Sequence, residues 1–225
     1  MIARFKPRLE ILPPAQLHLW PQLNLTAALG FVLYGGTAIA LRLGHRASVN
    51  FDFFSEQPLD RQALTAALPF MANATVLQDE RDTLTVIVPG NDSQHSHVKV
   101  AFFGTISFGR VGEPDLTEDG VLQVASLNDL MATKLKVLLQ RAEIRDYRDI
   151  AAMLKAGVNL PCALAAAREI FGPSFQPSEG LKALVYFGDG DLRTLAAADK
   201  DALIKAASAV RELPAIAILS RQLVA

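Results

Sequence analysis

The sequence predicts an α+β fold in which a mixed sheet with flanking helices is followed by a helical second half. Two observations support this prediction. Up to about residue 115, short apolar or alternating runs that suit β-strands stand between helical segments. After Gly120 the chain is rich in alanine and leucine and shows no convincing strand. We therefore expect an α+β domain over residues 1–115 and a helical domain over residues 116–225.

The elements of the first half follow from periodicity and from turn residues. The first two helices are expected to end at Gly30 and Gly44, because glycine suits the position just after a helix. Predicted helices cover 15–29, with a restart at Pro21, then 37–43 and 59–68. Predicted strands cover 31–34, 48–54, 83–88 and 97–103, with a turn or exposed loop over 89–96 between the last two.

The second half is predicted to contain helices. Ser126, with Asp129 three residues later, is a plausible N-terminal cap ahead of the helical run "LMATKLKVLLQR". Further predicted helices cover 145–155, 161–170, 178–187 and 200–211.

Composition and charge exclude several classes of protein. The formal net charge is −1, so nothing global indicates a protein that coats nucleic acid. The single cysteine, Cys162, excludes an intramolecular disulfide framework and suits a reducing compartment. The first residues lack the apolar core of a signal peptide, and no apolar run is long enough to span a membrane. We expect a cytoplasmic protein with no membrane partner.

The segment "VLYGGTAIALRLGHRASVNFDFF" holds the residues that point to a function. A strand that stops at Gly35-Gly36-Thr37 and enters a helix presents unpaired backbone N–H groups at the positive end of the helix dipole, where a phosphate can come close. In the alternating run that follows, Asn50 and Asp52 share one face, so Asp52 can reach a metal ion that bridges such a phosphate. The alternative is a tight strand-to-helix turn without a ligand.

This spacing resembles the signature of polymerase-β-type nucleotidyltransferases, in which a Gly-Gly or Gly-Ser turn precedes an acidic pair on a strand. More closely, "YGGTAIALRLGHRASVNFDFFS" together with "LNDLMATKLKVLLQRAEIRDYRDIAAML" resembles the AbiEii/AbiGii-type nucleotidyltransferase toxins. The resemblance covers roughly residues 30–155. It implies a nucleotidyltransferase-like mixed sheet and transfer of a nucleoside monophosphate from an NTP to an acceptor hydroxyl, with RNA such as tRNA as the acceptor. An antitoxin partner is also implied.

In the family two Mg²⁺ ions are typically held by three carboxylates, two on one strand and one on its neighbour. Here Asn50 stands in place of the first carboxylate, and the neighbouring strand offers only Lys99 and Ala101 on the relevant face. Mg²⁺ can be held by one carboxylate when phosphates and waters complete the octahedron. We therefore expect one ion rather than two, held by Asp52 with help from Asn50.

Charged residues elsewhere are further candidates. The resemblance implies that Lys134 contacts the nucleotide phosphates and that Asp146 or Asp149 belongs to the catalytic set. Arg141 lies on the same helical face as Lys134. The alternatives are a solvated lysine, and two aspartates paired within their own helix to Arg145 and Arg148. Arg42 and Arg46 flank the acidic strand and are candidates for binding the triphosphate, the alternative being solvated surface cations.

The function expected is thus Mg²⁺-dependent nucleotidyl transfer, with Gly35, Gly36 and Thr37 cradling phosphate. Two other classes stay open. A nucleotide-binding protein that has lost catalysis would bind NTP with little dependence on metal. A partner-binding protein of the same fold would not be stabilised by nucleotides at all.

Overall fold

One mixed β-sheet organises the first part of the molecule. The computed structural model describes residues 2–90 and 97–225, and within those ranges the sheet has eight strands. The strands are β1 (Arg4–Phe5), β2 (Val32–Tyr34), β3 (Asn50–Phe54), β4 (Thr75–Glu80), β5 (Thr83–Pro89), β6 (His97–Phe103), β7 (Asp115–Thr117) and β8 (Gln123–Val124). Their order across the sheet is β1-β7-β8-β2-β3-β6-β5-β4. Strand β3 lies antiparallel to β2 and parallel to β6, so the sheet is mixed as predicted.

Helices flank the sheet and then make up most of the second half. The α-helices are α1 (Pro14–Leu19), α2 (Gly35–Leu43), α3 (Arg61–Ala67), α4 (Leu127–Leu138), α5 (Ile144–Lys155), α6 (Leu160–Phe171), α7 (Pro177–Leu184) and α8 (Ala197–Ala209). Short 3₁₀ turns occupy Leu9–Ile11, Trp20–Leu23, Pro69–Asn73, Gly172–Ser174 and Gly190–Thr194. Within the described ranges no helix is both long and apolar enough to cross a membrane.

The chain divides into two compact units. The first comprises Met1–Gly109, Glu113–Ala125 and Arg221–Ala225, and the second comprises Arg110–Gly112 and Ser126–Ser220. Strands β7 and β8 therefore belong to the sheet-bearing unit, although β7 begins at residue 115, where the α+β domain was predicted to end, and β8 follows it. The last five residues also return to this unit, where the Leu223 side chain is fully buried and its backbone N–H donates to Glu56 Oε2 at 3.1 Å.

Most predicted elements are present with small shifts, and two predictions need correction. The helix predicted over 15–29 is only the six residues of α1, followed by a 3₁₀ turn and further turns up to Gly30. The expectation of no strand after Gly120 is also wrong, because β8 lies at Gln123–Val124. Strand β4 was not predicted, since its residues are mostly polar and all are exposed. Residues 91–96 of the predicted loop lie outside the described residues.

Aromatic side chains form the core beneath β3. Phe51 and Phe53 are fully buried, and the Phe53 ring stacks on Phe102 of β6 with centroids 5.4 Å apart. The Trp20 ring lies 6.4 Å from that of Phe51. Burying a phenylalanine contributes about 1.5–3 kcal/mol, so this face of the strand is firmly fixed. The other face, with Asn50, Asp52 and Phe54, is left half-buried.

Arg42 joins α2 to the strands on the far side of β2. Its Nε and Nη2 atoms donate to the backbone carbonyls of Ala125 (3.0 Å) and Val124 (2.9 Å), and Nη1 donates to Asp115 at 2.7 Å. The guanidinium also lies 4.4 Å from the centroid of the Phe5 ring. Burial lowers the pKa of Arg42 from its ordinary value, while the hydrogen bond and charge of Asp115 oppose that shift. The group stays protonated and holds this edge of the sheet together.

We predict that Arg42→Met lowers the free energy of unfolding by about 2–3 kcal/mol, because it leaves two carbonyls and a carboxylate without their charged donor. Arg8→Met is the matched control, since Arg8 makes a surface ion pair with Glu10 and its loss costs about 0.5 kcal/mol or less. Urea denaturation measures both. If Arg42→Met unfolds like the control but binds NTP more weakly, Arg42 is a phosphate ligand instead.

Candidate functional site in the sheet-bearing unit, and a buried ion cluster

The turn between β2 and α2 lies directly against the Asp52 carboxylate. Tyr34, the last residue of β2, pairs with Asp52 across the antiparallel ladder, which brings the next residue, Gly35, beside the same side chain. Gly35 has φ of +74°, a conformation that favours glycine, and a Cβ atom placed there would lie 2.6 Å from Asp52 Oδ2. Any other residue would require both a strained backbone and a shift of the Asp52 side chain. The chain therefore brings the start of a helix and a carboxylate together.

Thr37 fixes the first turn of α2 to the start of β3. Its hydroxyl hydrogen-bonds to the backbone carbonyl of Asn50 and lies 2.7 Å from Ser48 Oγ. The side chain is buried. Thr37 thus holds the glycine turn in register with β3, and its predicted contact with phosphate stays a prediction. The part played by Ser48 was missed, because nothing in its sequence context distinguishes it from a surface serine.

Asn50 and Asp52 project from the same face of β3, as the alternation predicted. Both are half-buried, whereas Phe51 and Phe53 between and beyond them are fully buried on the opposite face. The parallel register with β6 places Lys99 beside Asn50 and Ala101 beside Asp52. Where a third carboxylate would approach Asp52 from the neighbouring strand, this chain has a buried methyl group.

The donor set of this face suits a hard cation that takes most of its ligands from elsewhere. Among residues 2–90 and 97–225 no group of three or more histidine, cysteine or acidic side chains is placed to hold a metal. Asp52 supplies a carboxylate and Asn50 a carboxamide oxygen, both ligands that Mg²⁺ accepts. Because Gly35 has no Cβ atom, its backbone can approach Asp52 Oδ2 closely. These residues fit one Mg²⁺ ion completed by phosphate and water.

The second unit contains a buried cluster of charges built on α4 and α5. The Lys134 ammonium lies 2.6 Å from Asp146 Oδ1 and 2.8 Å from Asp149 Oδ2. Its side chain is 7% exposed and both aspartates are fully buried. Arg141 donates through Nε to Asp146 Oδ2 at 2.9 Å. Two cations and two carboxylates therefore balance in formal charge.

This cluster shows where the structure places four predicted site residues. The alternative of a solvated Lys134 is wrong, because its ammonium joins the two helices through Asp146 and Asp149, which are three residues apart on one face of α5. The partners of these aspartates include Lys134 of the preceding helix, and Arg145 pairs with Glu143 at 2.5 Å. The predicted contact of Lys134 with phosphate, and the catalytic role of either aspartate, stay predictions.

The remaining predicted cations differ in placement. Arg42 is held by Asp115 of β7 and by the backbone carbonyl of Val124 in β8. Arg46 is half-buried, and its Nη1 donates to the backbone carbonyl of Ala47 at 2.9 Å. Arg141 is 44% exposed while it contacts the buried cluster. Arg46 lies four residues before β3, and its predicted contact with the triphosphate stays a prediction.

The predicted cap of α4 is confirmed and has an additional role. Ser126 Oγ accepts from the Asp129 backbone N–H at 3.1 Å. The Asp129 carboxylate in turn accepts from the backbone N–H groups of Val111 (2.8 Å) and Gly112 (3.0 Å). Burial raises the pKa of Asp129, and these hydrogen bonds oppose the shift. Asp129 thus ties residues 110–112 to the start of α4. Spacing in the sequence does not reveal this contact.

Comparison with known families and proteins bears on most of the chain. A family model described as "Nucleotidyl transferase AbiEii toxin, Type IV TA system" matches residues 24–213. An uncharacterized protein from Aquifex aeolicus (strain VF5) is 29% identical over 122 residues, which cover 53% of this chain and 55% of that protein. The chain therefore spans about half the length of this curated relative.

Two solved structures share the fold. MenT4, a nucleotidyltransferase toxin from Mycobacterium tuberculosis H37Rv, superposes with a TM-score of 0.62 at 16% identity, over 88% of this chain and 82% of that one. A crystal structure from H. pylori, of a protein provisionally assigned as a nucleotidyltransferase, gives a TM-score of 0.56 at 19% identity, over 85% and 90% of the two chains. At these identities the likeness establishes the nucleotidyltransferase fold.

We predict that Lys134→Met lowers the free energy of unfolding by about 3–5 kcal/mol, because it leaves two buried carboxylates without their shared cation. Lys182→Met is the control, since Lys182 makes an exposed ion pair with Glu179 in the same unit and its loss costs about 0.5 kcal/mol. Chemical denaturation gives both values. Unchanged stability with weakened NTP binding would favour the phosphate contact over the structural role.

We predict that Gly35→Ala is more damaging than Gly120→Ala. Both glycines have similar positive φ angles, +74° and +76°, so alanine is strained by about 1–2 kcal/mol at each. Only at Gly35 would the new methyl group also meet Asp52, since nothing lies within 4 Å of a Cβ at Gly120. The difference between the two melting temperatures measures the cost of placing a methyl group against Asp52. Equal losses in the two variants would contradict it.

Proposed function

We propose that this chain, which belongs to the AbiEii family of nucleotidyl transferase toxins, transfers a nucleoside monophosphate from an NTP to an acceptor hydroxyl. The observation that carries the proposal is the contact between the glycine turn and Asp52. The start of α2 offers backbone N–H groups and a positive dipole end to phosphate, and the carboxylate that would hold a metal lies against the same turn.

The proposed reaction is an in-line substitution at the α-phosphorus of the NTP. The acceptor oxygen forms a bond to that phosphorus, the bond from the phosphorus to the oxygen bridging to the β-phosphate breaks, and pyrophosphate leaves with the bonding electrons. The hydroxyl proton passes to a base or to solvent. The protein's contribution is to position the reactants and to stabilise the charge on the triphosphate.

In this proposal Asp52 and Asn50 hold one Mg²⁺ ion. A bound Mg²⁺ neutralises charge on the phosphates and orients them for attack. Gly35 and Gly36 let the triphosphate approach the backbone, and Thr37 fixes the turn through its bond to the Asn50 carbonyl. Asp146 and Asp149 accept hydrogen bonds from cations, so a role for either as proton acceptor would require that the Lys134 contact be released.

The acceptor and the partner are proposed from the family. RNA, and tRNA in particular, is the acceptor that the toxin resemblance implies, and a type IV toxin–antitoxin system implies an antitoxin encoded with this chain. Both would place the protein in the cytoplasm.

A second candidate function rests on the residue beside Asp52. Because Ala101 occupies the place of a third carboxylate and Asn50 that of the first, Asp52 is the one carboxylate of the expected trio. A nucleotide-binding protein that no longer turns its ligand over would have such a site. It would bind NTP with little dependence on Mg²⁺.

We predict that Asp52→Ala lowers Mg²⁺-dependent transfer from labelled NTP to bulk RNA by about a hundredfold or more. The variant removes the one strand carboxylate that would hold the Mg²⁺ ion at the phosphates. The control is Asp201→Asn, a change at an exposed position of α8 in the other unit. Transfer is measured from each of the four NTPs, with and without Mg²⁺.

Melting curves of the wild type separate the candidates. An NTP at a hundred times its Kd raises the free energy of unfolding by about 2.7 kcal/mol. A shift that needs Mg²⁺, together with transfer, supports the enzyme. A shift without Mg²⁺ and without transfer supports the nucleotide-binding protein, and no shift with any NTP leaves the partner-binding class.

A further inference from the structure

We infer that Lys99 binds the triphosphate and supplies the positive charge that a second metal ion would supply at a site with three carboxylates. The inference rests on the proposed function and adds a substrate-binding residue to it. It arises from the register of β3 and β6, which places Lys99 beside Asn50, where an amide replaces a carboxylate.

The sheet places Lys99 next to the site. In the parallel ladder between β3 and β6, Asn50 is the direct neighbour of Lys99, and Asp52 that of Ala101. Neighbouring residues in such a ladder point to the same face of the sheet. Lys99 is exposed, whereas Val98 and Val100 on either side of it are buried on the opposite face. The lysine thus shares the half-buried face of Asn50 and Asp52.

The spacing of the strands suits a triphosphate lying across β3. The order β2-β3-β6 puts the glycine turn at the end of β2 on one side of Asp52 and Lys99 on the other. Neighbouring strands are about 4.8 Å apart, so the backbone of the turn and that of Lys99 are separated by roughly 10 Å. A flexible lysine side chain can reach back over that distance to phosphate oxygens held at the turn.

The balance of charge explains why a lysine suits this place. A trio of carboxylates carries a charge of −3 and attracts two divalent ions. Here Asn50 and Ala101 are neutral, so Asp52 and Lys99 together carry no net charge. An ammonium beside Asn50 repels a second divalent ion, yet it attracts the triphosphate that this ion would have neutralised.

A purely structural role for Lys99 fits the fold less well. Lysines often guard the edge of a sheet against pairing with other chains. Strand β6, however, lies between β3 and β5, and Lys99 is paired on both sides, to Asn50 and to Ile87. It therefore protects no edge.

The first experiment compares Lys99→Met, Lys99→Arg and the control Lys182→Met. Binding of a non-hydrolysable NTP and of the corresponding nucleoside is measured at fixed Mg²⁺ by calorimetry. We expect Lys99→Met to weaken NTP binding about tenfold and leave nucleoside binding unchanged, as lost charge at the phosphates would. Lys99→Arg should keep most of the affinity. Wild-type affinity in Lys99→Met, or an equal loss for the nucleoside, overturns the inference.

The second experiment introduces the missing carboxylate in two backgrounds. Mn²⁺ serves as the probe, and its binding in the presence of the non-hydrolysable NTP is followed by electron paramagnetic resonance. With Lys99 in place, Asn50→Asp should gain little Mn²⁺ affinity, since the new carboxylate pairs with the ammonium. In Lys99→Met the same change should tighten Mn²⁺ binding at least about fivefold. Equal effects in the two backgrounds contradict the inference.

Failure of this inference differs from failure of the proposed function. If the wild type binds NTP and transfers nucleotide while Lys99→Met does so equally well, Lys99 has no part in the site and the function stands. If the wild type binds no NTP, both fall together.

Discussion

The register between β2 and β3 is the constraint on which the site depends. Pairing of Tyr34 with Asp52 brings Gly35 against the carboxylate and leaves Phe51 and Phe53 in the core. A slip of one residue would turn Asp52 into the aromatic core and expose both phenylalanines. Burial of the Asp52 carboxylate among aromatic rings and exposure of the two phenylalanines would both destabilise the slipped register. The core therefore enforces the geometry of the site.

The parts of this site that were predictable from sequence are those set by local rules. The period of two in β3 fixes which residues share a face, and two glycines before a helix mark a turn that phosphate can approach. Strand β4 could not be predicted in this way. It has no apolar alternation of its own and owes its conformation to its ladder with β5.

The roles of charged residues were hard to predict from sequence, because their partners lie far away along the chain. Spacing alone showed that Asp146 and Asp149 share a helix face, but it did not show that Lys134 of another helix lies between them. Likewise Arg42 was a candidate for binding triphosphate, and its hydrogen-bond partners lie more than seventy residues away along the chain. The sequence alone does not distinguish a structural from a catalytic role for a charged residue, because the distinction depends on the neighbours that the fold gives it.

The return of residues 221–225 to the sheet-bearing unit has a consequence for the order of synthesis. Leu223 fills a buried place in a unit whose other segments end at Ala125. About a hundred residues separate these segments, so at translation rates of 5–20 residues per second the unit stays incomplete for roughly 5–20 s after its sheet has been made. During that interval the sheet-bearing unit lacks the buried Leu223 side chain and the hydrogen bond from its backbone N–H to Glu56.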